Sequence, residues 1–270
     1  MPARMSVSVS LAALLSVLST TPAAAAEPPP AETIEMSVAV GQALSEVLTL
    51  TDAGQLEAAH AALQALRQQP LNDYERTRIL QQAINLDIML GRHAQAILDH
   101  EALLQQTNLT DAERSNAQLM LGKLHLQEEQ WSEGIESLLA VNESQQSSSM
   151  ETLYLLGVGH YRSQQPALAI QYLEQAIAVG GAQAGEPHYS LLGVLQVEAK
   201  NYSGAIATYE ALFDAVATPA QAESYYSTLA QLYVQAGEHG KARATLEQLL
   251  TRFPDSAKRA EYQTRLAASR

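Results

Sequence analysis

The side chains able to do chemistry are few and scattered. The chain has seven histidines and no cysteine. Thiolate catalysis, disulfides, cysteine-ligated zinc and a lipidated N-terminal cysteine are therefore excluded. His93 and His100 lie seven residues apart in one helical stretch, with Glu101 beside the second. As a metal pair they lack a supporting ligand at i, i+4 spacing. His125 and His160 occupy matching places in two helices, where half-buried packing is the ordinary role of an imidazole. Gly157-Val-Gly159 looks like part of a phosphate loop, but no Gly-Lys-Ser/Thr follows it and its setting is helical. No Gly-x-Ser-x-Gly elbow is present. Carboxylates occur singly on solvent-facing positions, as charge on a helix usually does. No catalytic, metal or cofactor set emerges, and the sequence reads as a non-enzyme.

The elements that carry these residues are helices. The chain is 47% hydrophobic but only 5% aromatic, a balance that suits stacked helices better than a sandwich of sheets. Its net charge of −13 argues against nucleic acid as a partner, because neutralising phosphates takes Lys and Arg clusters. The clearest unit runs from Tyr225 to Pro254. Tyr226, Leu229 and Tyr233 fall at i, i+3 and i+7 and make one buried stripe. Ala230 and Ala242 stand where two antiparallel helices must touch. Gly237 ends the first helix in a conformation that glycine adopts at least cost. Pro254 closes the unit, because it cannot continue a helix.

These spacings resemble those of the tetratricopeptide (TPR) repeat. The resemblance implies an all-α, TPR-type right-handed solenoid of about six helix-turn-helix repeats with a C-terminal capping helix. Aligned on the small residue of each first helix, the slot falls at Val47, Ile84, Gly122, Gly157, Gly193 and Ala230, at intervals of 37, 38, 35, 36 and 37 residues. The units span about 35–70, 71–108, 110–142, 150–180, 186–216 and 222–254, and residues 255–270 form the cap. The close-contact residues of the second helices include Ala169, Ala205 and Ala242, and Ala58-Ala59, Leu63 and Leu66 face inward in unit one. Asn72 or Asp73 and Thr110 offer N-caps, and Pro166 suits a first helical turn. The polar run Glu143 to Ser149 reads as a flexible joint.

Residues 1–26 read as a cleavable signal peptide, with Arg4, an apolar core at Leu11 to Leu18 and Ala24-Ala25-Ala26 before Glu27. Residues 27–34 read as a disordered, Pro-rich linker. The expected location is the periplasm, with no integral span after cleavage.

TPR arrays bind partners with the inner face of their first helices. Projecting the register selects Arg78, Gln81, Asn85, Met89, Leu119, Lys123, Tyr154, Val158, Tyr161, Arg162, Ser190, Val194 and Gln231. Tyr154, Val158 and Tyr161 lie at i, i+4 and i+7. They form a stripe that either receives a peptide, with Lys123 and Arg162 as cationic neighbours, or packs the next repeat. Leu71-Asn-Asp-Tyr-Glu-Arg76, Leu119 to Trp131, and Glu186 to Leu192 with Asn201 to Ala205 resemble periplasmic TPR proteins encoded with TonB–ExbB–ExbD systems. That resemblance implies a scaffold for TonB-dependent uptake, with TonB or ExbD among the protein partners. The alternatives are a scaffold for cell-envelope assembly and a small-molecule or metal-binding protein.

Overall fold

The computed structural model describes residues 36–144, 149–216, 218 and 221–268, the side chains of 142–144 excepted. The expected leader, the Pro-rich linker and the centre of the Ser-rich joint lie outside these residues. Among the described residues there are thirteen α-helices and no strand. Six pairs follow one another: α1 (Val38–Asp52) and α2 (Leu56–Arg67), α3 (Asp73–Met89) and α4 (His93–Leu104), α5 (Asp111–Gln127) and α6 (Trp131–Ser144). Then come α7 (Met150–Arg162) and α8 (Pro166–Gly180), α9 (Glu186–Glu198) and α10 (Tyr202–Ala215), α11 (Ala222–Gln235) and α12 (His239–Arg252). A last helix, α13 (Arg259–Ala268), closes the array. Each helix packs mainly on those next to it in the chain, which is the packing of a solenoid.

The small slot explains why the pairs are close. A Cβ on Gly122 would lie 2.8 Å from Leu138, one on Gly157 2.8 Å from Leu173, and one on Gly193 2.8 Å from the Tyr209 ring. Ala230 fills the same place in the sixth pair and is fully buried. Residues Leu63, Leu138, Leu173, Tyr209 and Leu246, each sixteen places beyond a slot, form the facing surface and are buried. Unit two departs from this pattern. Its slot holds the larger Ile84, and the facing residue is His100. Ala58 is exposed, contrary to expectation, because the inward stripe of α2 runs through Ala59, Leu63 and Leu66 alone.

Every pair turns the same way. The N–H of Gln55, Arg92, Gln130, Gln165, Asn201 and Glu238 reaches back to the carbonyl of Leu50, Asp87, His125, His160, Gln196 and Tyr233 at 2.7–2.9 Å. This is the Schellman closure of a helix. It demands a left-handed residue just before the donor. Gly54, Gly91 and Gly237 meet the demand at φ 69–75°, but Glu129, Gln164 and Lys200 meet it at φ 58–60°.

Starts are as specific as stops. Asn72 accepts from the Glu75 N–H, and Glu75 accepts from the Asn72 N–H, both at 2.9 Å, a capping box. The same Glu75 carboxylate accepts from the Ser37 N–H at 2.9 Å, which ties the start of α1 to the start of α3. The Ser37 side chain, with these two N–H donors, holds the Glu75 carboxyl below its ordinary range. At the other end Tyr262 of α13 is buried among Tyr226, Ala230, Leu246 and Leu249. Its hydroxyl donates to Glu223 at 2.9 Å.

Candidate binding groove

The expected stripe on α7 is not an open receptor. Tyr154 and Tyr161 are half-buried against Ala169, Leu173, Leu192 and Leu195. Tyr154 also lies against the His188 ring, at 4.7 Å between centroids, and burial raises its hydroxyl pKa. Val158 is half-buried on the same helix. The stripe thus packs one repeat on the next. Its two expected cations are also engaged. Lys123 pairs with Glu151 at 2.6 Å, and Arg162 lies 5.8 Å from the Trp131 ring, at the start of α6.

An open space lies two repeats earlier. A cavity of about 350 Å³ runs between α3 and α5 above the side of α4. Gln81, Gln82, Asn85 and Ile88 line it from α3, Asn116, Ala117 and Met120 from α5, and His100 and Leu103 from α4. Of the expected groove residues, Gln81 and Asn85 are here. Arg78 stands at the edge. It donates to Gln81 at 2.9 Å and pairs with Glu113 at 3.5 Å. Glu113 is also held by Thr110, whose N–H lowers its pKa. With these charges paired at its edge, the groove presents chiefly amides and apolar side chains.

Gln82, Asn116 and Met120 were not anticipated. Gln82 and Met120 each lie two places before the small slot, and Asn116 six before it, the place of Arg78 one unit earlier. The register carried that signal, but His100 required the structure. It is 4% exposed, and neither ring nitrogen has a hydrogen-bond partner. Burial, opposed by Asp99 and aided by His125, lowers its pKa to about 4. The ring is therefore neutral at pH 7.

Five of the six other histidines have structural partners, and His239 is exposed. His125 and His160 are buried, with Nδ1 2.6 and 3.0 Å from the side-chain oxygens of Gln130 and Gln165. His93 Nδ1 lies 2.7 Å from Glu128, about 10 Å along the α4 axis from His100 by the rise of a helix. The two do not converge on one ion, and no group of three metal-ligating side chains gathers among the described residues. Behind the groove, Asp87 is fully buried with His60 Nε2 3.5 Å away. Desolvation raises the Asp87 pKa, with His60 opposing. Arg67 pairs with Asp99 beside it. This cluster joins α2, α3 and α4 under the groove.

Repeat spacing, paired helices and recurrent turns point to one family, and sequence comparison agrees. Tetratricopeptide repeat profiles match residues 119–187, 154–218 and 196–268, together more than half of the chain. The chain is a tetratricopeptide repeat protein. No curated protein sequence matches it. Solved structures share its fold. One is the MamA protein, at 23% identity and TM-score 0.56, covering 70% of this chain and 96% of MamA. Another is a TPR protein from Parabacteroides merdae, at 17% identity and TM-score 0.57, covering 80% of each chain. A third is YrrB, described as a TPR protein with an unusual peptide-binding site. It is 15% identical with TM-score 0.53, covering 72% of this chain and 92% of YrrB. At these identities the likeness concerns the fold. TPR folds generally serve as non-enzymatic scaffolds for protein partners, and the described helices include none long and apolar enough to cross a membrane.

Proposed function

We propose that this TPR protein is a non-enzymatic adaptor that holds an extended segment of a protein partner in the groove between α3 and α5. The observation that carries the reading is the set of amides, Gln81, Gln82, Asn85 and Asn116, around one open cavity. A side-chain amide both donates and accepts, so such a set can bond to the N–H and C=O groups of a bound backbone whatever its sequence. Ile88, Ala117 and Met120 give the apolar contact between them. YrrB supports the reading to the extent that a peptide site is named in a protein of this fold. The paired states of Arg78 and Lys123 weigh against a groove built for a C-terminal carboxylate, which needs free cations.

The setting we propose is the periplasm, reached through the leader at residues 1–26, and the partner a component of a TonB–ExbB–ExbD system. The support is the leader pattern and the resemblance at Leu71 to Arg76 and Leu119 to Trp131. In-cell crosslinking tests it, with a photoreactive residue at Asn85 and a control at Leu168 on α8. Capture of TonB or ExbD from Asn85 alone is the expected result. Capture of cell-wall enzymes from Asn85 would transfer the adaptor to envelope assembly. Equal capture from both positions, or none from Asn85, would refute the groove.

A further inference from the structure

We infer that the α3–α5 groove holds a socket for one aromatic side chain of the bound segment, at the place where Ala117 leaves the space above His100 unfilled. The inference rests on the groove reading above and adds a specificity to it.

The socket follows from the repeat itself. Five places before the small slot, the first helices of units two to six carry Ile79, Ala117, Thr152, His188 and Tyr225. Ala117 is the smallest of these. At Ile79 and Tyr225 the residue closes on the unit before it. Ile79 shares a buried cluster with Leu63. Tyr225 shares one with Tyr209, the ring centroids lying 5.8 Å apart. Leu63, His100 and Tyr209 are matching residues, each sixteen places beyond its slot. Above His100 the closing residue is Ala117. The place that a tyrosine ring fills between units five and six is therefore open between units two and three, and Ala117 and His100 both line the cavity found there.

The occupant's chemistry follows from the walls. Ile84, Ile88, Leu103 and Met120 supply apolar surface around Ala117. Both nitrogens of His100 are buried away from the cavity, so the ring offers an occupant carbon and no hydrogen bond. The volume of about 350 Å³ exceeds the roughly 150 Å³ in which a protein core can enclose benzene. A ring laid against an imidazole is a contact this chain already makes: Tyr154 with His188 and Tyr172 with His160 have centroids 4.7 and 5.2 Å apart. A cationic side chain would find Glu113 already held by Thr110 and Arg78. A carboxylate would find Arg78 paired with Glu113. An aromatic side chain needs neither, and it brings the large apolar area that fills such a space, while the amides around the cavity remain for the backbone of the segment.

Random-peptide selection on the immobilised full chain tests the socket, repeated with Ala117→Tyr. Tyrosine holds the matching position in unit six, at Tyr225, so the variant closes the socket with a side chain the repeat already uses there. Peptides selected by the wild type should share a Phe, Tyr or Trp at one position, and the Ala117→Tyr selection should lose that preference. Changing the shared residue to Ala in the peptide should weaken wild-type binding tenfold or more. This peptide-side change works on the unaltered protein and decides the matter even if Ala117→Tyr folds poorly. Selected peptides without an aromatic preference, or with one that survives in a folded Ala117→Tyr, would overturn the socket. The groove would survive that result if Asn85→Ala with Asn116→Ala, which removes two of its amides, still weakens binding of the selected peptides. If no peptide is selected, or the amide variant binds as the wild type does, the groove reading falls and the socket with it.

Discussion

Replacing His100 by leucine should change the acid sensitivity of the fold in a defined direction. Burial lowers the pKa of His100 from 6.5 to about 4, and Asp99, His125 and Glu113 are the titratable groups around it. An unfolded chain takes up the proton near pH 6.5, whereas the folded chain resists until about pH 4. The neutral ring's contribution to stability is thus fully present above the unfolded value and is lost as pH falls between the two. Its full size is about 3 kcal/mol, of which about 2 is already lost near pH 5. His100→Leu has no such proton to bind. At neutral pH the variant should be more stable by about 1–3 kcal/mol, since it removes an unpartnered buried polar group. The pair Val47 and Leu63 in unit one shows that a β-branched slot tolerates leucine opposite. The assay is urea unfolding of both proteins near neutral pH and near pH 5. The gap between their stabilities should widen by about 2 kcal/mol on acidification. Parallel stabilities at the two pH values would mean that His100 is not held neutral by burial and would refute the reasoning.

Other outcomes follow from the same geometry. Gln164→Gly or Lys200→Gly should raise thermal stability by about 1 kcal/mol each, because a left-handed backbone is strained for any residue with a Cβ; an unchanged or lower melting temperature would contradict it. Gly157→Ala should destabilise by about 1–3 kcal/mol, and Leu173→Ala in the same chain should recover part of that loss in a double-mutant cycle; additive losses would show that the two side chains do not meet. Asn72→Ala should cost about 1 kcal/mol through the lost cap, read as an earlier unfolding of the N-terminal units by hydrogen exchange. Glu75 has a lowered pKa, chiefly through its bonds to Ser37 and Asn72. Its contribution is present above about pH 4.5 and is lost as pH falls below that value, and Glu75→Gln should flatten this acid limb.

Parts of this fold can be read from residue types alone, where a backbone need has one chemical answer. Gly54, Gly91 and Gly237 end helices because their positive φ favours glycine, and Asn72, Thr110 and Pro166 mark helix starts for equally local reasons. The turns at Glu129, Gln164 and Lys200 were hidden, since there the strain is outweighed by the packing on either side. The groove was half legible. Register placed Gln81 and Asn85 on the inner face, but the same register selected Tyr154 and Tyr161, which pack the next repeat. An aromatic stripe facing a neighbour and one facing solvent have the same periodicity. His100 was visible as a residue and invisible as a floor, because its meaning depends on Ile84 opposite it.

The dependence of each helix on its chain neighbours has a consequence for how the molecule comes into being. Contacts that close small loops carry a small entropic cost and form quickly. The groove draws only on α3, α4 and α5, residues 73–127, so its walls can assemble as soon as that stretch of chain is free. A recognition surface of this kind need not await the last residue. It can take shape while the remainder of the polypeptide is still being made.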